Sequence, residues 1–120
     1  MNDRELLELA AKAVGIEYTV RDDNYYKTHK FFGLWLVIHG EPYEGQRRYW
    51  NPLRDDGDAL RLAVKLRLTV SWDRFDDDDY ATATPPHTNQ GYDCIVDQDP
   101  CAATRRAITI TAAEIGRPMP

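Results

Sequence analysis

A chain of 120 residues and 13.8 kDa has the length of one domain, 1–120, and its 42% apolar and 29% charged residues match ordinary soluble globular proteins. That length buries roughly two-thirds of the unfolded surface, so one core forms without disulfide or metal staples. This excludes disordered, collagen-like and disulfide-dense classes. Fifteen Lys and Arg against twenty Asp and Glu give a formal charge of −5. No apolar run nears the ~20 residues that span a bilayer. The opening MNDRELLELAAK lacks the basic and apolar regions of a signal peptide. A cytoplasmic protein with no membrane partner is expected.

The spacing predicts a first helix over Asp3–Val14. Asn2 caps it, Glu5 completes a capping box, and Leu6, Leu9, Ala10 and Ala13 form one apolar stripe. Gly15 supplies a left-handed stop onto which Ile16 folds back. Strand candidates follow at Glu17–Arg21 and Tyr25–His29 around the turn-forming Asp22-Asp23-Asn24. The strongest is Phe31–Ile38. Its alternation puts Phe31, Gly33, Trp35 and Val37 on one face and Phe32, Leu34, Leu36 and Ile38 on the other. Both faces are apolar, so either helices cover both or one is an interaction surface. Gln46–Trp50 is a further strand, after the turn-rich Gly40–Gly45.

A second helix starts in Asp55-Asp56-Gly57-Asp58, where carboxylates satisfy free N–H groups and complement the helix dipole. It continues to about Leu68, with Leu60, Ala63 and Val64 on one face and Leu62 and Leu66 widening it. Thr69–Trp72 and Tyr92–Val96 are short strands, while Asp76–Asp79 and Pro85–Gly91 read as loops. Asp99-Pro100 signals a third helix, a capping residue before proline at the first helical position. Gly116 and Pro118 end it. Consecutive strands between helices favour antiparallel pairing. The fold class is α+β, an antiparallel sheet packed by three helices, with an α–β–α sandwich as one form of it.

Eight Asp and one Arg between Val70 and Pro100 put −7 on that segment, leaving +2 elsewhere. With no clustered basic footprint, direct nucleic-acid binding is not expected. Asp76, Asp77, Asp78 and Asp79 lack the alternation and distal Glu of an EF-hand loop. They read either as a solvated loop or as an acidic patch for a basic partner, imitating nucleic-acid phosphates. Trp50 and Trp72 join them as candidate partner-binding residues.

His29, His39 and His87 have no metal-ligand spacing, and Cys94 and Cys101 form no C-x-x-C. Both cysteines read as reduced, Cys101 near a helix N-terminus that favours thiolate. There is no phosphate-binding glycine motif, and Ser71, the only serine, sits in no nucleophile elbow. No catalytic residue, metal or cofactor is expected.

Trp50-Asn51-Pro52-Leu53 with Asp55–Leu66, the ending Arg105-Arg106-Ala107-Ile108 and Ala112–Arg117, and the opening Glu5–Ala13 helix form three blocks. Together they resemble small tailed-phage and prophage proteins of the phage ABA sandwich domain group. The resemblance implies a phage context, an α–β–α layered fold and location in the host cell. It implies no catalytic residues, and Asp73–Gly91 lies outside the matched blocks. The Trp-Asn-Pro-Leu block is either a binding loop or a turn into the helix cap. The expected function is a phage accessory protein acting on a host protein complex, in its most concrete form an anti-CRISPR-like inhibitor. The alternatives are a small metal- or ligand-dependent enzyme built on His and Asp, or a homo-oligomeric regulatory module, with a homodimer its simplest form.

Overall fold

In the computed structural model, which describes residues 1–23, 32–39, 48–88 and 90–120, each helix begins at the side chain able to cap it. In α1 (Asp3–Val14) Asn2 Oδ1 accepts the Glu5 N–H at 2.8 Å. Gly15, at φ 73°, closes that helix, and Ile16 N–H donates to the Ala11 carbonyl at 3.0 Å. Asp55 caps α2 (Asp56–Leu66) through the Asp58 N–H at 2.8 Å. Asp99 caps α3 (Pro100–Gly116) through the Ala102 N–H at 3.0 Å. None of the described helices is long and apolar enough to cross a membrane.

The end of α2 differs in its chemistry. It stops at Leu66, and Arg67 takes the left-handed position at φ 56°, with Leu68 N–H donating to the Ala63 carbonyl at 2.9 Å. A side chain at that backbone position costs about 1 kcal/mol that glycine does not. Arg67→Gly should therefore stabilise the fold by about 1 kcal/mol, read as a higher urea midpoint at unchanged slope. A midpoint at or below that of the parent would show that the Arg67 side chain outweighs the backbone cost.

The described strands pair antiparallel, as expected of an α+β chain, and divide between two sheets of three. The first joins β1 (Tyr18–Asp23), β2 (Gly33–Ile38) and β3 (Arg48–Trp50) in chain order, with Val20 opposite Leu36 and Leu36 opposite Trp50. The second joins β4 (Thr69–Phe75), β5 (Asp78–Thr84) and β6 (Tyr92–Val96), with Trp72 opposite Ala81 and Ala81 opposite Cys94. β5 is a strand the sequence did not disclose, and Asp78 and Asp79 belong to it, not to a loop. The strand expected at Tyr25–His29 and the turn-rich Gly40–Gly45 lie outside the described residues.

One buried cluster draws on all three helices and both sheets, including Leu7, Leu36, Trp50, Leu62, Ala83 and Ile108. α3 lies against α1, α2, β5 and β6. Its alanines allow that closeness, and the buried Thr111 hydroxyl is satisfied by the Ala83 carbonyl at 3.0 Å and its own Ala107 carbonyl at 2.9 Å. Gly116 sits inside the last turn of α3, and a Cβ built there falls 2.1 Å from the Leu9 carbonyl oxygen of α1. The glycine thus serves the α1–α3 approach, not a left-handed stop.

The two faces of β2 are covered differently. Leu36 and Ile38 enter the helix-lined core, while Trp35 on the other face is 7% exposed. Its ring meets Tyr49 edge-on at 6.3 Å, and the Arg54 guanidinium lies 4.9 Å from its centre. Arg21 in turn donates to the Tyr49 hydroxyl at 2.8 Å. Among the described residues, side chains of the sheet and of the turn after it pack on that face.

Candidate functional site

β4 and β5 meet in a two-residue turn, since Phe75 pairs with Asp78. Asp76 and Asp77 occupy it at φ 51° and 67°, the doubly left-handed geometry that suits the twist of a hairpin. Aspartate tolerates this backbone better than most side chains. All four of Asp76 to Asp79 are exposed, as is Asp73. The register adds a charge from another part of the chain: Asp79 lies opposite Val96, which brings Asp97 beside Asp78. Among the described residues, six carboxylates therefore share one end of this sheet with one guanidinium, Arg74, opposite Asp79. Their sum, −6 + 1 = −5, equals the formal charge of the whole chain.

Trp72 stands on the α3 side of the same hairpin, the face it shares by alternation with Arg74 and Asp79, while Asp73 and Asp78 point to the other. Its indole N–H donates to the Thr104 hydroxyl at 2.8 Å, and that hydroxyl donates to the Pro100 carbonyl at 2.7 Å. The ring is thereby fixed while remaining 61% exposed. A rigid, exposed aromatic ring is the side chain that most often anchors a protein contact. It forms one wall of an apolar groove of ≈ 440 Å³ between α2, β4 and the start of α3. Leu60 and Val64 on α2, expected to face the core, are 64% and 67% exposed; Leu60 lines the groove. The core side of α2 is instead Ala59, Leu62 and Ala63. β4 is an edge strand of its sheet, so among the described residues its outer backbone groups have no strand partner.

Trp50 does not join this surface. It is 3% exposed, in the core with Leu36 opposite it, and lies away from the hairpin. The turn after it is likewise structural. Asn51 donates from its side chain to the Leu34 carbonyl at 2.8 Å and accepts the Leu53 N–H at 2.9 Å. Its backbone N–H donates to Asp58 Oδ2 at 2.9 Å. Asp58 is thus more than a helix-start residue. It is 2% exposed and takes Arg61 Nη2 on its other oxygen at 2.7 Å. Of the two sequence readings of Trp-Asn-Pro-Leu, the turn into the helix cap is the one formed.

The remaining candidate chemistry is dispersed. His39 shares a hydrogen bond with the Thr19 hydroxyl, and His87 stands exposed at φ 66° in the loop after β5. Both described cysteines are free thiols; burial pushes the Cys94 thiol up, and Cys101 is exposed beside the apolar groove. Among the described residues no three His, Cys, Asp or Glu side chains converge as a metal-holding group. What sequence reasoning missed was Asp97, Leu60 and Val64. The first is legible only through strand register, and the other two only through which side of α2 meets α3. Compared with protein-family models, with curated proteins and with solved structures, the chain matches none.

Proposed function

We infer that this protein is a binding module that acts by contact with a protein partner through the β4–β5 hairpin. The observation that carries this reading is the concentration of −5 on one sheet end beside a fixed, exposed Trp72. Clustered carboxylates on a rigid hairpin attract a basic surface at long range, and a neighbouring apolar groove holds what they attract. The partner is accordingly a basic protein surface of the kind that otherwise receives nucleic-acid phosphates. Taken with the phage resemblance, its most specific form is a phage accessory protein occupying the nucleic-acid channel of a host defence complex, an anti-CRISPR-like acidic decoy.

The test replaces Asp76, Asp77, Asp78 and Asp79 together by Asn. Asparagine is at least as tolerant of the two left-handed positions, so the hairpin keeps its shape and loses only charge. Tagged parent and variant are used to purify partners from bacterial lysate at low and moderate salt. A stoichiometric complex held by the parent, lost as salt rises and lost in the variant at low salt, is the expected result. A partner retained equally by the variant would remove the decoy reading. Recovery of only a second copy of the chain, confirmed as a dimer by light scattering, would replace it with self-association.

A further inference from the structure

The first sheet carries a second concavity, with cationic side chains in its lining. It opens between the end of α1, the ends of β2 and β3 that meet at the Ile38–Arg48 pair, and the last turns of α2. Its volume, ≈ 460 Å³, falls within the range of small-molecule sites. Arg48, Arg61 and Lys65 line it, against Glu17 as the single lining carboxylate among the described residues. Ile38, Leu62 and Trp50, each buried in the core, leave only a narrow apolar strip at its floor. On a chain of net charge −5, three cations around one cavity run against the overall field.

The guanidiniums are held from behind. Asp58 Oδ1 takes Arg61 Nη2 at 2.7 Å and lies 3.8 Å from Arg48 Nη2, while its other oxygen is fixed by the Asn51 N–H at 2.9 Å. That carboxylate is 3% exposed, whereas the Arg61 and Arg48 side chains are 57% and 39% exposed. Asp55 lies 3.8 Å from Arg61 at the helix cap, and neither Asp55 nor Asp58 lines the cavity. The buried carboxylate thus fixes Arg61 by a hydrogen bond and attracts Arg48 by charge alone, and both side chains keep exposed N–H groups. Lys65, which makes no ion pair among the described residues, adds a third positive charge one helical turn beyond Arg61. Donors fixed in advance bind an anion without the entropy cost of gathering them.

We propose that this cavity binds a small organic phosphate: a phosphomonoester head among Arg48, Arg61 and Lys65, with an apolar or aromatic body on Ile38, Leu62 and Trp50. Two guanidiniums and an ammonium match the several oxygens and double charge of such a head. The floor distinguishes the ligand from free phosphate, because an ion alone leaves the apolar surface wet. The site uses none of the hairpin residues, so its fate and that of the acidic surface are separable.

Isothermal titration calorimetry with phenyl phosphate, inorganic phosphate and phenol tests the head and the body separately. Phenyl phosphate is expected to bind more tightly than either of the others. Lys65→Glu, at an exposed helical position, should weaken it by roughly tenfold or more, because it turns one close attraction to the anion into a repulsion. Arg48→Gln should weaken it in the same direction. Arg117→Gln, at the end of α3 and outside the cavity, should leave it unchanged. No heat from millimolar phenyl phosphate, equal affinity for inorganic phosphate, or a Lys65→Glu variant that binds as the parent does would each overturn the proposal.

Discussion

Gly116→Ala should destabilise the protein by about 2–3 kcal/mol, although alanine is the better helix former by about 1 kcal/mol. The sign runs against propensity because the added methyl would sit 2.1 Å from the Leu9 carbonyl oxygen and 3.2 Å from the Ala13 nitrogen. Both are backbone atoms, which no rotamer change moves aside. Relief requires α1 and α3 to separate, and separation loosens Ala10, Ala11, Ala112 and Ala113, all fully buried. Urea denaturation followed by far-ultraviolet circular dichroism measures the loss. A variant as stable as the parent or more so would show that the helices cross further apart, leaving propensity to decide.

Asp58→Ala should cost about 3 kcal/mol by a different route. The carboxylate is nearly inaccessible, and its loss strands the Asn51 N–H, which it accepts at 2.9 Å, and deprives Arg61 of a 2.7 Å partner. The buried turn then loses its hold on the start of α2. Asp58→Asn keeps an oxygen for the Asn51 N–H while removing the charge, so it should recover part of that loss. If both variants unfold at the same urea concentration as the parent, the buried carboxylate is only a spectator of the turn. If Asn is as damaging as Ala, the charge towards the guanidiniums carries the energy, not the backbone hydrogen bond.

The parts of this fold that were legible in the sequence are those whose chemistry is local. Asn2, Asp55 and Asp99-Pro100 announce helix starts because each capping side chain serves a backbone group three residues away. Gly15 announces a stop for the same reason. β5 was hidden because its opening Asp78-Asp79 is composition that strands usually avoid, and its inward residues, Ala81 and Ala83, are small. The Asp76-Asp77 turn lacks the Asn-Gly signature that marks a hairpin at a glance. Division into two sheets depends on pairings between distant segments, which periodicity does not report. Trp50 and Trp72 look alike in sequence, each in a strand-like run, yet one is core and the other surface. The acidic end of the second sheet was legible as composition but not as a shape. The cationic cavity was not legible at all, since Arg48, Arg61 and Lys65 come from a strand and a helix joined by a buried turn.

The central place of α3 also sets an order of events during synthesis. α1 leaves the ribosome early, but the helix it packs against begins only at Pro100. At elongation rates of about 5–20 residues per second, the first helix waits roughly 5–20 s for its partner. Over that interval Leu6, Leu7, Ala10 and Ala11 lack the helix that covers them in the finished fold, as do the sides of β5 and β6 that meet α3. A chain that ends before Pro100 lacks the one element that α1, α2, β5 and β6 all pack against, so its core stays open until α3 is made.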